Sequence, residues 1–111
     1  MKTRLDLQNE LERRYSEWNQ KVNGRSDHHV YFQSPGTTKM IYPCILYSLD
    51  TEKKLHADNL GYKRDNCYKV TIIDKDPDST LRFILNGLQY CSFDRVYISD
   101  NLYHYVFTLF Y

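Results

Sequence analysis

The chain has 111 residues, and a chain of this size buries roughly two-thirds of its unfolded surface, enough for one core and not two. A net charge of +1 gives no global field to hold nucleic acid or an anionic membrane, which argues against an electrostatic binder. With 41% hydrophobic and 26% charged residues the composition is that of a folded soluble domain, here taken as a single unit over 1–111.

A first helix is expected at about residues 3–22. Leu7, Leu11, Tyr15, Trp18 and Val22 recur at steps of four, four, three and four, which aligns them on one helix face for packing on a sheet. Asn23-Gly24 supplies the stop, with glycine able to take the left-handed cap conformation. The rest of the domain, a sheet and a second helix, is expected over 28–111.

Val30-Tyr31-Phe32 reads as a short strand and Ser34-Pro35-Gly36-Thr37-Thr38 as a turn or exposed loop. Met40–Leu49 reads as a second strand. Pro43 inside it implies an edge strand, a bulge or a first residue, because proline cannot donate to a ladder. Residues 50–66 are polar and charged, a long connection of the kind that is often functional or ordered by a partner.

Cys67–Asp74 (CYKVTIID) is a third strand. Asp76 is expected to cap the second helix, with Pro77 in its first position and Asp78 favourable to its dipole. Leu81, Ile84, Leu85 and Leu88 would form its buried face, and Gly87 weakens its end.

The chain closes with two runs rich in aromatic and β-branched residues, Cys91–Ile98 and Leu102–Tyr111, around Ser99-Asp100-Asn101. This is a hairpin signal. Neither face of Leu102–Tyr111 is polar, so that strand is expected to be covered on both sides. The order α-β-β-β-α-β-β describes an α+β domain with a mainly antiparallel sheet of four to five strands and two helices.

Chemistry-bearing clusters are sparse. In Asp27-His28-His29 the adjacent histidines point to opposite sides of an extended chain, and no second ligand pair has zinc-like spacing. His56 with Asp58 lies in the long loop. A pairing of His104 with Cys44, Cys67 or Cys91 depends on the fold alone. Asp74-Lys-Asp76-Pro-Asp78 lacks the glycine and distant glutamate of a calcium loop. Lys53, Lys54, Lys63 and Arg64 with Tyr62 and Tyr68 could grip a single nucleic-acid strand, but Glu52, Asp58 and Asp65 interrupt the run. Three cysteines without close spacing suit a reduced cytosolic protein. No apolar run reaches the ~20 residues of a membrane span, and MKTRLDLQNELERR has no signal-peptide core. No catalytic residue, cofactor or metal is expected. The outlier is eleven tyrosines, a residue suited to half-buried strands and protein interfaces.

His56-Ala57-Asp58-Asn59, Tyr68-Lys-Val-Thr71, Ile73-Asp74-Lys-Asp76-Pro-Asp-Ser79, Cys91-Ser-Phe-Asp-Arg95 and Asp100-Asn-Leu-Tyr-His104-Tyr-Val-Phe-Thr108 resemble a family of small tailed-bacteriophage virion proteins. These are the tail-completion proteins, also called tail terminators or tail-to-head joining proteins. Val30–Gly36 and Met40–Pro43 are similar to the same group, so the resemblance spans about 28–111. It implies a structural protein of the virion neck, assembled in the host cytoplasm. Such a protein forms a homo-oligomeric ring, usually a hexamer, on the end of the tail tube and docks the head connector or head-completion protein. Genomic DNA would at most pass through its lumen, and no membrane is involved.

A head-to-tail ring needs two complementary patches per subunit. Interface candidates are Tyr42, Lys53, Lys54, Tyr62, Arg64, Arg95 and Tyr97, with loops 33–39 and 50–66 ordering on assembly. Arg95 is also expected to anchor elements by pairing with Asp94 or Asp100. Charge reversal of the loop, Lys53→Glu with Lys54→Glu, is expected to leave folding intact and block joining. Unchanged infectious-particle yield would remove the loop from the interface.

Overall fold

A computed structural model describes residues 3–25, 27–33, 41–50, 67–88 and 91–111. The expected turn at 34–38, the start of the second strand at Met40 and most of the loop at 50–66 lie outside the described residues.

Helix α1 runs Arg4–Asn23. Thr3 opens it with a capping box, its hydroxyl accepting from the Asp6 N–H while the Asp6 carboxylate accepts from the Thr3 N–H, so two orphan donors are satisfied. Gly24 closes it at φ 67°, and the Arg25 N–H reaches back to the Asn19 carbonyl as helix C-caps do. The buried stripe is Leu7, Leu11, Tyr15 and Asn19. Trp18 is half-buried against the core, but Val22 stands 56% exposed. The stripe keeps to steps of four, and Asn19 takes the place expected of the Trp18–Val22 side. Burying that amide is tolerable because it is bonded. Its nitrogen donates to the Asp27 carbonyl and carboxylate, and its oxygen accepts from Asn23.

The strands are β1 (Val30–Phe32), β2 (Cys44–Leu49), β3 (Cys67–Asp74), β4 (Cys91–Ser99) and β5 (Leu102–Phe110). They form one five-stranded sheet in the order β1-β2-β3-β5-β4. β1 runs parallel to β2, and every other pair is antiparallel. The α+β class therefore holds, with a mixed sheet. Pro43 lies just before β2, after a cis Tyr42–Pro43 bond, so the missing N–H falls outside the ladder and β2 need not be an edge.

The second helix does not form as expected. Thr80–Phe83 is a single 3₁₀ turn, capped by Ser79 rather than Asp76. It continues in bonds of the same i→i+3 type, Ile84 to Leu81, Asn86 to Phe83 and Leu88 to Leu85. The stretch from Thr80 to Leu88 contains β-branched Thr80 and Ile84, Phe83 and then Asn86-Gly87, all weaker helix formers than leucine, and Gly87 adopts φ 92°. Successive tight turns still bury Leu81 and Leu85. The acidic run before them makes local turns: the Asp74 carboxylate accepts from the Asp76 N–H and the Asp76 carboxylate from the Asp78 N–H.

One face of the sheet carries the main core. Ile45, Tyr47, Tyr68, Val70, Ile72, Tyr105 and Leu109 meet Leu7, Leu11 and Tyr15 of α1 and Leu81 and Leu85 of the 3₁₀ segment. The opposite face holds a smaller cluster of Cys44, Ile73 and Leu102 with Tyr31, Tyr42 and Leu46. β5 lies between β3 and β4 and is buried or half-buried on both faces, which matches its two apolar faces.

Leu11→Ala removes a fully buried side chain and is expected to lower unfolding free energy by about 2–5 kcal/mol. Val22→Ala should change it by no more than about 0.5 kcal/mol, as surface substitutions do. Urea titration followed by circular dichroism checks both, and equal losses would place the helix face at 18 and 22 instead.

Candidate functional site

The hairpin of β4 and β5 turns at Asp100 and Asn101, with φ of 53° and 62°. Two consecutive positive-φ residues make a two-residue turn whose twist matches the strands. Its closing pair is Ser99 with Leu102. The ladder then slips: Phe93 pairs with Phe107 and Arg95 with Val106, leaving Asp94 as the extra residue of a bulge. The sequence carries the same slip, since apolar residues at 91 and 93 resume at 96 and 98 rather than at 95 and 97.

β4 is the outer strand of the sheet, and after Cys91 every residue in it is exposed. Phe93, Val96 and Ile98 share the core face of the sheet with Phe107, Tyr105 and Tyr103, yet they stand 56%, 49% and 64% exposed. Among the described residues, the helix and the 3₁₀ segment cover the sheet from β1 to β5, and of β4 only Cys91 packs against this core. Sequence reasoning passed over these three residues; the phase slip at Asp94-Arg95 was the signal that marked them.

Of the interface candidates, Tyr97 sits here. It is 41% exposed, and its ring stacks on His104 with centroids 4.6 Å apart and an 11° interplanar angle. Arg95 lies beside it, its guanidinium carbon 5.9 Å from the centre of the Tyr97 ring, within cation–π range. The expected ion pair of Arg95 with Asp94 or Asp100 is not made among the described residues. Arg95 stays in the ladder on the Tyr97 side, while Asp94 is displaced by the bulge and Asp100 belongs to the turn. Tyr42 is elsewhere, half-buried against Cys44, Ile73 and Leu102, and burial raises its hydroxyl pKa. Lys53, Lys54, Tyr62 and Arg64 lie outside the described residues, as do Lys63, His56 and Asp58.

The titratable clusters serve the fold. The Tyr15 hydroxyl donates to the Pro43 carbonyl at 2.7 Å and lies 3.2 Å from His29 Nδ1. His29 Nε2 is 3.3 Å from the Asp27 carboxylate, while His28 turns to Glu12 at 3.2 Å. Adjacent histidines thus engage different carboxylates, and among the described residues no three His, Cys, Asp or Glu side chains converge as metal ligands. A shallow cleft between the end of α1 and the turn after β3 is lined by Trp18, Asp74, Asp76, Asp78 and Thr80. Asp74 and Asp76 are already engaged by backbone N–H groups, and the Trp18 indole donates to Thr80 at 2.8 Å. Burial pushes the Cys44 thiol up to about 12 and raises that of Cys91, so both are protonated at neutral pH and neither is an activated nucleophile. Among the described residues, no helix is long and apolar enough to cross a membrane.

Comparison with protein-family models, with curated proteins and with solved structures finds no match to this chain. The solvent-facing side of β4 is therefore the candidate site on geometry alone.

The Cys44 shift has a direct consequence. A thiol whose pKa rises from 9.0 to about 12 on folding binds its proton more tightly in the native state. Its contribution to stability is complete below pH 9 and declines as pH climbs toward 12. Stability from urea titrations should fall across that window, and Cys44→Ala should flatten the fall. Tyr15, whose hydroxyl pKa is also raised by burial, should keep part of the slope in that variant. An identical slope would show that the Cys44 thiol does not contribute.

Proposed function

We propose that this chain is a structural assembly subunit of a tailed-phage virion, capping the tail tube as an oligomeric ring and joining the tail to the head connector. The observation that supports an assembly role is the outer strand β4, where Phe93, Val96 and Ile98 meet solvent. Exposed apolar residues gathered along one strand are the usual mark of a protein contact surface. The virion assignment itself rests on the resemblance over 28–111. In this reading Arg95 and Tyr97 form the polar side of the same contact. Tail-tube protein and the head-connector or head-completion protein are the partners, and Lys53, Lys54, Tyr62 and Arg64, outside the described residues, remain contact candidates from the sequence. The work of such a subunit is mechanical, and no cofactor enters it.

A second reading follows from the same strand. An open sheet edge also receives an added strand from an extended peptide, which suits another neck or head-closure protein or a small protein-binding module.

The discriminating experiment mixes the purified chain with the tail-tube protein of the same virion and images the product by negative stain. Terminal rings on the tubes and a limited tube length are expected. Bare tube ends, with all of the chain in the unbound fraction, would discard the tail-terminator reading in favour of the binding module.

A further inference from the structure

The two edges of the sheet differ. β1 has three residues, and on its outer side the Val30 carbonyl already accepts from the Gln8 side chain at 3.4 Å. β4 has nine residues. In an antiparallel ladder, alternate residues direct their N–H and C=O toward one neighbour and then the other. The Asp50 N–H donates to the Cys67 C=O at 2.8 Å, so Cys67, Lys69, Thr71 and Ile73 bond toward β2 while Tyr68, Val70, Ile72 and Asp74 bond toward β5. By the same alternation Tyr103, Tyr105, Phe107 and Leu109 bond to β3 while Leu102, His104 and Val106 turn to β4, so their partners Ser99, Tyr97 and Arg95 bond inward to β5. Val96 and Ile98 then direct theirs outward. Below the bulge the outward positions are Cys91 and Phe93, three residues from Val96 instead of two. A regular partner strand cannot run in register past Asp94, and the usable edge is 95–99.

We propose that a second copy of this chain occupies that edge, β4 pairing antiparallel with β4 of its partner about a two-fold axis at Tyr97. The register is self-complementary. Val96 faces the partner's Ile98 and Ile98 faces the partner's Val96. Both belong to the outward set, so each pair exchanges two hydrogen bonds. Tyr97 falls opposite the partner's Tyr97 as a non-hydrogen-bonded pair, where Cα atoms approach to about 4.5 Å. Arg95 meets the partner's Ser99 rather than another arginine.

On the core face the two Val–Ile pairs merge into one apolar strip, covering the residues that are most exposed in the single chain. Asp94 and the partner's Asp100 bring like charges together at either end, in bulge and turn, and so limit the ladder to this segment. The contact is isologous, so pairing of β4 with β4 joins two copies and does not itself propagate; a ring is built from such pairs through other surfaces. This pairing is independent of the virion reading, since it follows from the sheet edge alone.

The test combines mass and register. Light scattering behind size exclusion, over a dilution series through roughly the micromolar range expected of so small an interface, should show a dimer that dissociates on dilution. Ile98→Lys should yield a monomer throughout with an unchanged circular dichroism spectrum. Independently of that variant's folding, Tyr97→Cys in a Cys91→Ser background, treated with oxidised glutathione, should give a disulfide-linked dimer. The same treatment of Leu5→Cys, exposed at the start of α1, should not. A wild-type monomer at every concentration would overturn the pairing. So would a dimer or ring that fails to cross-link through position 97, or one whose mass is unchanged by a folded Ile98→Lys variant.

Discussion

The structure depends on an imbalance of cover. A sheet of five strands is about 20 Å wide at the usual strand spacing, while a helix with side chains is ~10 Å across. The one α-helix among the described residues can roof only part of that width. Leu7, Leu11 and Tyr15 place α1 over the β1–β3 end, and Leu81 and Leu85 extend the roof toward β5. Among the described residues, only Cys91 of β4 packs against this core. Full burial of an apolar side chain contributes about 1.5–3 kcal/mol, so leaving Phe93, Val96 and Ile98 half in water forgoes roughly half of each contribution in the single chain.

The helix is held at its end of the sheet by polar contacts as well as by packing. At its start, the Tyr47 hydroxyl accepts from Arg4 and donates to the Gln8 side chain. Near its end, Asn19 is bonded to Asp27, and Tyr15 reaches Pro43 and His29. Arg14 donates to the carbonyls of Ile84 and Asn86, tying the 3₁₀ segment to the same helix. These bonds join α1 to β1, to the approach to β2 and to the chain after β3. A buried polar partner left unpaired costs about 1–3 kcal/mol, so sliding the helix toward β4 would forfeit several at once. The polar network therefore fixes which edge is capped and which stays open.

Much of the fold was legible locally. The helix, its glycine stop, the strand Cys67–Asp74 and the terminal hairpin each rest on short-range patterns, and each forms. The second helix misled because Leu81, Ile84, Leu85 and Leu88 serve a run of i→i+3 turns as well as an α-helix, and Asn86-Gly87 decides between them. Val22 misled because a step of three or four is equally helical, and only the partners of Asn19 show which residue turns inward. The strand order was not legible. That β3 separates β2 from β5, and that β4 is thereby left outermost, is set by long-range pairing that no local pattern encodes. Of the candidate site, Arg95 and Tyr97 were read as interface residues, but their apolar neighbours were not. Their exposure follows from strand order, and their registration from a bulge visible only as a shift in phase.

An open edge in a small protein invites uncontrolled pairing, and the usual safeguards are short strands, charges and bulges. β4 has a bulge and two charges, but all three sit together at Asp94 and Arg95. They interrupt the strand once and leave Val96-Tyr97-Ile98 regular, apolar on one face and bearing a stacked aromatic on the other. A strand protected against all pairing would carry its charge at the outward-facing positions, 96 and 98. Those positions hold valine and isoleucine, β-branched residues that favour extended backbone. The placement of the bulge thus restricts where a partner can pair without preventing it, and it does so on the one long edge that α1 does not reach.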